Sequence, residues 1–593
     1  MPLGTEAEEI KTYTNLKNRR TDLTERFDYE ASLYRGDHDV YDIDPEDGEW
    51  ESFIPNGCRA EVNRVTEDLS FAARQLFIPI SDEDHRDRGK ITKTEYTALG
   101  ILNLADQILR DSATGATLQT LLAKWWVLRG WSTKRFIMRE EDGKLIPDLA
   151  IWDTRNVQWI EGHNRLTWVG YERWVTKAEL EDEYGSPWTG AVDSNGLVVI
   201  HDVWKCDDLS KPAEEGVIAG GEYIKNEIVK VGNYKLDYLP INISSSRGMP
   251  VIQDEHTDNL KYVGQSFIAN NSDIYPAEAK LMSMFLTAAK KDAKAPIVIE
   301  WDGKGESPGQ KFQDSDPNVA GRVIVLDTSK GEKLANPMPP SNTAGILQMI
   351  GIVRGMKGIG GLNDISFGTL DKALPAQGID LLSHAAMANE KPFIFGMQGD
   401  YEWLAGEAVR QYKMGDFSEQ EFEGTDKSQN TFTATIKPSQ INENWKFKCR
   451  LVPDLIRDKA SNIQIYGQAV KEGLMSRQTA MDDGQLVLDP DGEMQKIAKE
   501  QAKSVFGIGE LEAFLAYYQD YSKMIGQKLT DEDKQRFIID FAFQKLGQST
   551  MPQQGSETMP ARGVVNNQTM TARKPMGNVP EPVMKAAQRE AMQ

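Results

Sequence analysis

Cysteine is scarce: three in 593 residues, Cys58, Cys206 and Cys449, far apart and with no CxxC pair. That spacing excludes a disulfide framework or a zinc knuckle and predicts reduced thiols. The six histidines (His38, His85, His163, His201, His256, His384) are scattered, with no HExxH pair, so neither a metal site nor a cofactor is expected. No run approaches the roughly eighteen apolar residues a membrane span needs. The opening MPLGTEAEEIKTY lacks the basic-then-apolar order of a signal peptide, which predicts a protein kept in a cytoplasm, away from membranes. A phosphate-cradling GxxxxGK[ST] is missing: Lys90, Lys144 and Lys304 follow glycine, but none precedes Ser or Thr. There is no GxSxG elbow. The acidic runs DIDPEDGEWE and LDPDGEM lack the order of an EF-hand and read as solvated turns. Taken together, these absences argue against an enzyme.

What is present is an ordinary globular composition, 40% hydrophobic and 27% charged, over a length that suggests about three to four structural units. The net charge of −22 argues against a broad basic face for DNA, because each phosphate contact needs a local cation. The acid is unevenly placed. Residues 1–55 hold fifteen Asp and Glu against six Lys and Arg, whereas residues 341–357 hold Arg354, Lys357 and no acid. Contact with nucleic acid would therefore run along a narrow element.

The most informative stretch runs from Tyr275 to Lys413. IYPAEAKLMSMFLTAAKKDAKAP reads as a helix of about twenty residues, a rod of about 30 Å, ended by Pro296 and crowded with Lys290, Lys291 and Lys294 at its far end. An insert from Ala295 to Pro340 holds two strand candidates, PIVIEW and RVIVLD, and predicts a small hairpin-like module. SNTAGILQMIGIVRGMK reads as a second rod that stops at Gly358, Gly360 and Gly361, followed by a glycine-bearing loop. Beyond it, Phe393, Met397, Tyr401, Leu404 and Ala408 form a helical stripe, and Pro392 predicts a kink within one long helix.

Upstream, residues 5–35 predict one amphipathic helix, with further helical regions at Arg59–Phe77 and Thr94–Leu109 and in TLQTLLAKWWVLRGW. From Ser132 to Ser246 the period shifts towards two, in runs such as LTWVGYERWV and GLVVIHDVWKCD, while TKAELEDEYG predicts a helix capped by Thr176 with Glu179 three residues on. The connections are too short for repeated crossovers, so the fold class is α+β with antiparallel sheet. A helical C-terminal third follows, with Ser476 as a helix cap after Gly473, and the composition beyond about residue 548 predicts disorder.

This order of parts resembles the portal proteins of tailed bacteriophages, the ring-shaped head-to-tail connectors. NRRTDLTERFDYEASLYRG and IPNGCRAEVNRVTEDLSFAARQLF look like that family's opening helices, and VPDLIRDKASNIQIYGQAVKEGLMSRQTAMDDG looks like its wing-to-crown passage. The resemblance spans residues 10–505 and divides the chain as follows. Residues 1–262 are a helical layer and α+β wing, 263–294 the first stem helix, 295–340 the clip and 341–357 the second stem helix. Residues 358–375 are the tunnel loop, 376–453 the kinked helix and wing, 454–547 a helical crown and 548–593 a disordered tail.

The resemblance implies a homo-oligomeric ring, typically of twelve subunits, at one capsid vertex of a virion assembled in the host cytoplasm. Double-stranded DNA would pass through it during packaging and ejection. The expected partners are the terminase large subunit, which supplies the ATP, a head-tail adaptor or tail proteins, and the major capsid and scaffolding proteins. Lys290, Lys291, Lys294, Arg354 and Lys357 become candidates for DNA-facing or intersubunit charges; Gly358, Gly360, Gly361 and Asn363 for the tunnel loop; and Gln313, Asp314 and Asp316 for clip contacts. Ordinary rod-to-rod salt bridges between subunits are the plainer reading of the charges. The alternatives in other classes are a non-ring phage structural protein and a nucleic-acid-processing enzyme.

Overall fold

A computed structural model of the chain describes residues 3–43, 51–79, 87–111, 115–141, 143–185, 187–207, 210–246, 248, 259–293, 297–305, 323–332, 343–362, 376–426, 431–452 and 459–483, with 487, 493, 494, 496, 497 and 500. The chain divides into two units, Met1–Met494 and Gln495–Gln593, and the elements below all belong to the first. The tail expected from residue 548, and residues 501–547 of the expected crown, lie outside the described residues.

The N-terminal layer begins with α1 (Glu6–Arg19) and α2 (Thr21–Arg35). One helix was expected over this span. The break falls at Arg20, whose guanidinium is drawn sideways onto the Trp159 ring (4.1 Å) and donates to the Trp159 carbonyl at 3.0 Å. Then come α3 (His38–Tyr41), α4 (Gly57–Ser70), β1 (Ala73–Phe77), α5 (Arg88–Asp111) and α6 (Leu118–Arg129). The helix expected to reach Phe77 stops at Ser70 because Ala73–Phe77 pairs antiparallel with residues 448–452, a tertiary partner that overrides local propensity.

The sheet region follows as β2 (Trp131–Glu141), β3 (Lys144–Trp152), β4 (Val157–Glu161), β5 (Leu166–Thr176), α7 (Lys177–Tyr184), β6 (Leu197–Lys205), β7 (Glu214–Ala219), β8 (Glu222–Ile228), β9 (Lys230–Val231), β10 (Tyr234–Lys235) and β11 (Ile241–Ser245). Strands β4 to β8 form a five-stranded antiparallel meander, and β11, β2 and β3 a three-stranded antiparallel sheet. The expected cap of α7 is present: the Thr176 hydroxyl accepts from the Glu179 N–H at 3.3 Å and the Glu179 carboxylate accepts from the Thr176 N–H at 2.7 Å.

The rods are α8 (Ile274–Ala293) and α9 (Thr343–Gly360), with β12 (Ile297–Trp301) and β13 (Val323–Asp327) in the insert between them. These two strands run parallel, so the insert is not a hairpin. The roughly twenty residues that join them are long enough for the crossover that parallel pairing requires. Next come α10 (Ala376–Met414), β14 (Gln420–Thr425), β15 (Thr431–Ile436), β16 (Lys448–Val452), α11 (Lys459–Lys471) and α12 (Arg477–Asp483). Gly473, at φ 72°, closes α11, and the Ser476 hydroxyl accepts from the Thr479 N–H at 3.0 Å to open α12. Helix α10 continues through Pro392 as a single element of 39 residues. The stripe read from its sequence, Phe393, Met397, Tyr401, Leu404 and Ala408, is fully buried.

Helix α10 is joined to the three-stranded sheet by buried polar groups as well as by apolar packing. Lys134 of β2 and Asp400 of α10 form an ion pair with both side chains almost wholly buried. Asp400 also accepts from the Trp126 indole N–H at 2.7 Å and the Ser244 hydroxyl at 2.9 Å, so four elements meet on one carboxylate. Eleven residues on, Gln411 donates to the Phe136 carbonyl at 2.9 Å and accepts from the Met138 N–H at 2.8 Å, continuing the seam along β2. Burial pulls the Lys134 ammonium below its ordinary range, and Asp400 opposes that shift. Replacing Asp400 by Asn should strand a buried cation and cost about 3–5 kcal/mol. In urea unfolding this should lower the midpoint, with the paired change Lys134→Met, Asp400→Leu costing less than the single one.

Candidate functional site

Of the candidate residues, Arg354, Lys357, Gly358, Gly360 and Gly361 lie together at the end of the second rod. Glu61 of α4 and Glu278 of α8 are 2% and 4% exposed, and both turn towards Lys357 of α9. The Lys357 ammonium lies 3.3 Å from Glu61 Oε1, 3.1 Å from Glu278 Oε2 and 5.4 Å from the centre of the Tyr275 ring. Arg354, one turn earlier and well exposed, reaches Glu278 at 3.1 Å. The Tyr275 hydroxyl donates to Glu61 at 2.9 Å. Burial raises the Glu61 carboxyl above its ordinary range while Lys357 and the Tyr275 hydrogen bond hold it down. The neighbouring Cys58 thiol is pushed up to about 12, chiefly by burial and then by Glu61, and is therefore an inert core thiol.

Three asparagines finish the second rod. Asn271 donates to the Lys357 carbonyl at 3.0 Å, Asn270 to the Gly360 carbonyl at 3.2 Å, and Asn389 of α10 to the Gly361 carbonyl at 2.9 Å. These side chains satisfy carbonyls that a helix end otherwise leaves open. A side chain at Gly361 would place its first carbon 2.5 Å from a Glu61 carboxylate oxygen and 2.8 Å from the Asn271 amide nitrogen. Glycine is needed there for close approach.

Several expectations change accordingly. Gly358 and Gly360 belong to α9, so the loop expected from residue 358 begins after the helix ends at Gly360. Lys357 is engaged within its own chain, bridging α9 to α4 and α8. Arg354 is tied to the same cluster at its exposed edge. Lys290 is exposed and paired with Glu51, and Lys280 pairs with Asp42 at 2.9 Å, so the acidic N-terminal stretch supplies counter-charges along the first rod. The backbone beside Glu51 follows that rod: the Glu51 and Phe53 N–H groups donate to the Thr287 and Ser283 hydroxyls at 2.8 and 3.0 Å. Lys291 lies in α8, with its side chain outside the described set. Lys294, Gln313, Asp314, Asp316 and Asn363 lie outside the described residues.

What the sequence reading passed over is the outer face of α9. With about 100° between successive residues, Ile346, Ile350 and Val353 fall within about 40° of Lys357 and face inwards. Met349, Ile352, Met356 and Ile359 fall together on another side, and these four are 57%, 53%, 55% and 82% exposed. The signal lay in the sequence: GILQMIGIVRGMKGI is apolar all round, the mark of a helix covered on every side. Among the described residues no group of three or more potential metal ligands converges, and no helix is long and apolar enough to cross a membrane.

No family model matches the chain, and no curated protein matches it. Among solved structures, a chain in the neck of a native GTA particle, computed with C12 symmetry, aligns over 73% of this chain and 90% of its own length, at 10% identity and a TM-score of 0.35. A likeness of that order leaves function to be argued from this chain's own residues.

The cluster at Lys357 generates a direct test. Lys357→Met should leave two buried carboxylates without their shared cation and destabilise the protein by about 3–5 kcal/mol. Arg354→Gln, at an exposed position, should cost about 1 kcal/mol or less. Thermal unfolding of the two variants side by side checks the contrast.

Proposed function

We propose that the chain is the subunit of a portal-type ring, a passive conduit for double-stranded DNA at one capsid vertex. The observation that carries this reading is the apolar stripe Met349, Ile352, Met356 and Ile359. It stands on a rod whose opposite side is fixed to the body, and no described part of the chain covers it. A neighbouring copy would cover it, and in a closed ring the same contact recurs at every subunit boundary. Burying the exposed half of such side chains is worth roughly 1 kcal/mol each, which accumulates around the ring.

The order of rod, insert, rod and long helix supports the same reading, since it matches the stem, clip, stem and wing helix of the portal family. In this assignment the subunit is not an enzyme: terminase supplies the ATP, and the clip receives terminase first and the head-tail adaptor later. Lys290 and its neighbours at the clip end of the first rod would repeat as a belt of cations, while the surrounding acid keeps any grip on phosphate weak. Twelve subunits is the number that the family resemblance favours.

Ile352→Glu together with Met356→Glu tests the reading, because both side chains already stand in solvent. Subunit stability should stay within about 0.5 kcal/mol of the parent. Sedimentation should show the assembled species replaced by the 66.5 kDa chain. A doubly substituted protein that assembles like the parent would remove the stripe from the interface, and a parent that remains monomeric under all conditions would favour a non-ring structural role.

A further inference from the structure

Whether or not the chain forms a ring, its long helix meets α4 at a carboxyl group that lacks a full set of partners. Glu390 is 2% exposed, and its Oε2 has no hydrogen-bond partner. The charged groups that act on it are Asp68 and Arg64 of α4, themselves paired at 3.0 Å; on its own helix, Lys391 is exposed. One residue earlier, Asn389 holds the Gly361 carbonyl. Two residues later, Pro392 brings no N–H to the helix, so the chain can turn here at the loss of fewer backbone bonds than elsewhere. Beyond the proline the helix is held in the core by Phe393, Met397, Asp400 and Tyr401. Among the described side chains just before it, Asn389 is hydrogen-bonded to the Gly361 carbonyl and Glu390 is buried.

We propose that Glu390 is a proton-operated latch: neutral, it keeps α10 seated against α4 up to Pro392, and ionised, it releases the helix on the N-terminal side of the proline. The physical reason is the cost of a charge in that place. A buried carboxylate without a cation of its own is expelled towards water, whereas a neutral carboxyl can stay. Burial first, and then the Asp68 charge, push the Glu390 carboxyl up to about 8, with Arg64 opposing them. The folded protein therefore keeps a proton that the unfolded chain loses in the ordinary carboxylate range. Stability from this group falls as pH rises through the window from there to about 8.

Hydrogen exchange of the full chain, corrected for the intrinsic effect of pH on exchange, reads the latch directly. From about pH 5.5 the amides around residues 388–391 should lose protection by up to about tenfold per unit until about pH 8 and level off above it, the bend near 8 serving as the midpoint. Glu390→Gln should stay protected throughout. Asp68→Asn should move the midpoint down, by removing a like charge and freeing Arg64, and Arg64→Gln should move it up. Protection independent of pH in the parent, or the same pH course in Glu390→Gln, overturns the proposal. Should Glu390→Gln fail to fold, the other two variants decide: midpoints that move in opposite directions support the latch, and midpoints that stay put or move together overturn it.

Discussion

The two rods depend on one shared cation. Lys357 is the point at which α9, α8 and α4 are joined, and two carboxylates that are nearly inaccessible to water would have no adequate counter-charge without it. Its position fixes the rotation of α9. Once that ammonium is turned inwards, helical geometry sends Ile346, Ile350 and Val353 with it and leaves Met349, Ile352, Met356 and Ile359 outside. A residue that the sequence offers as a DNA-facing or intersubunit charge is thus also the anchor that sets which face of the second rod is left outward.

The same logic of buried polar contacts governs the rest of the body. Asp400 collects an ammonium, an indole and a hydroxyl from three other elements, and Gln411 satisfies two backbone groups of β2. Directional contacts of this kind fix the register of the long helix on the sheet, which an apolar stripe alone leaves free to slide by a turn. The rod pair is thus rooted in a body held by directional contacts, and among the described residues nothing covers the Met349 to Ile359 side of the second rod.

Much of the architecture was legible in the chain. The period-two runs between Ser132 and Ser246 become antiparallel sheet, the Thr176 and Glu179 pair caps α7, and the Phe393 to Ala408 stripe is core. What failed depended on residues distant in sequence. Ala73–Phe77 is a strand because residues 448–452 lie beside it, and the parallel pairing of the insert follows from a long connection that local pattern does not describe. The glycines after Lys357 looked like a loop because glycine is a poor helix former. Asn270, Asn271 and Asn389 cap their carbonyls, and Gly361 makes room for Glu61. The in-chain partners of Lys357 were not legible because they come from elements about 80 and about 300 residues upstream, and no spacing rule of helices reaches so far.

In the assembly proposed above, the second rods stand at the subunit boundaries of a closed ring. Electron microscopy of the purified full-length protein, with averaging of end-on views, measures it most directly. Closed rings of about twelve subunits, with density for α9 of one copy against the adjacent copy, are the predicted result. Particles that never close, or rings in which the Met349 to Ile359 face stays in solvent, would contradict it.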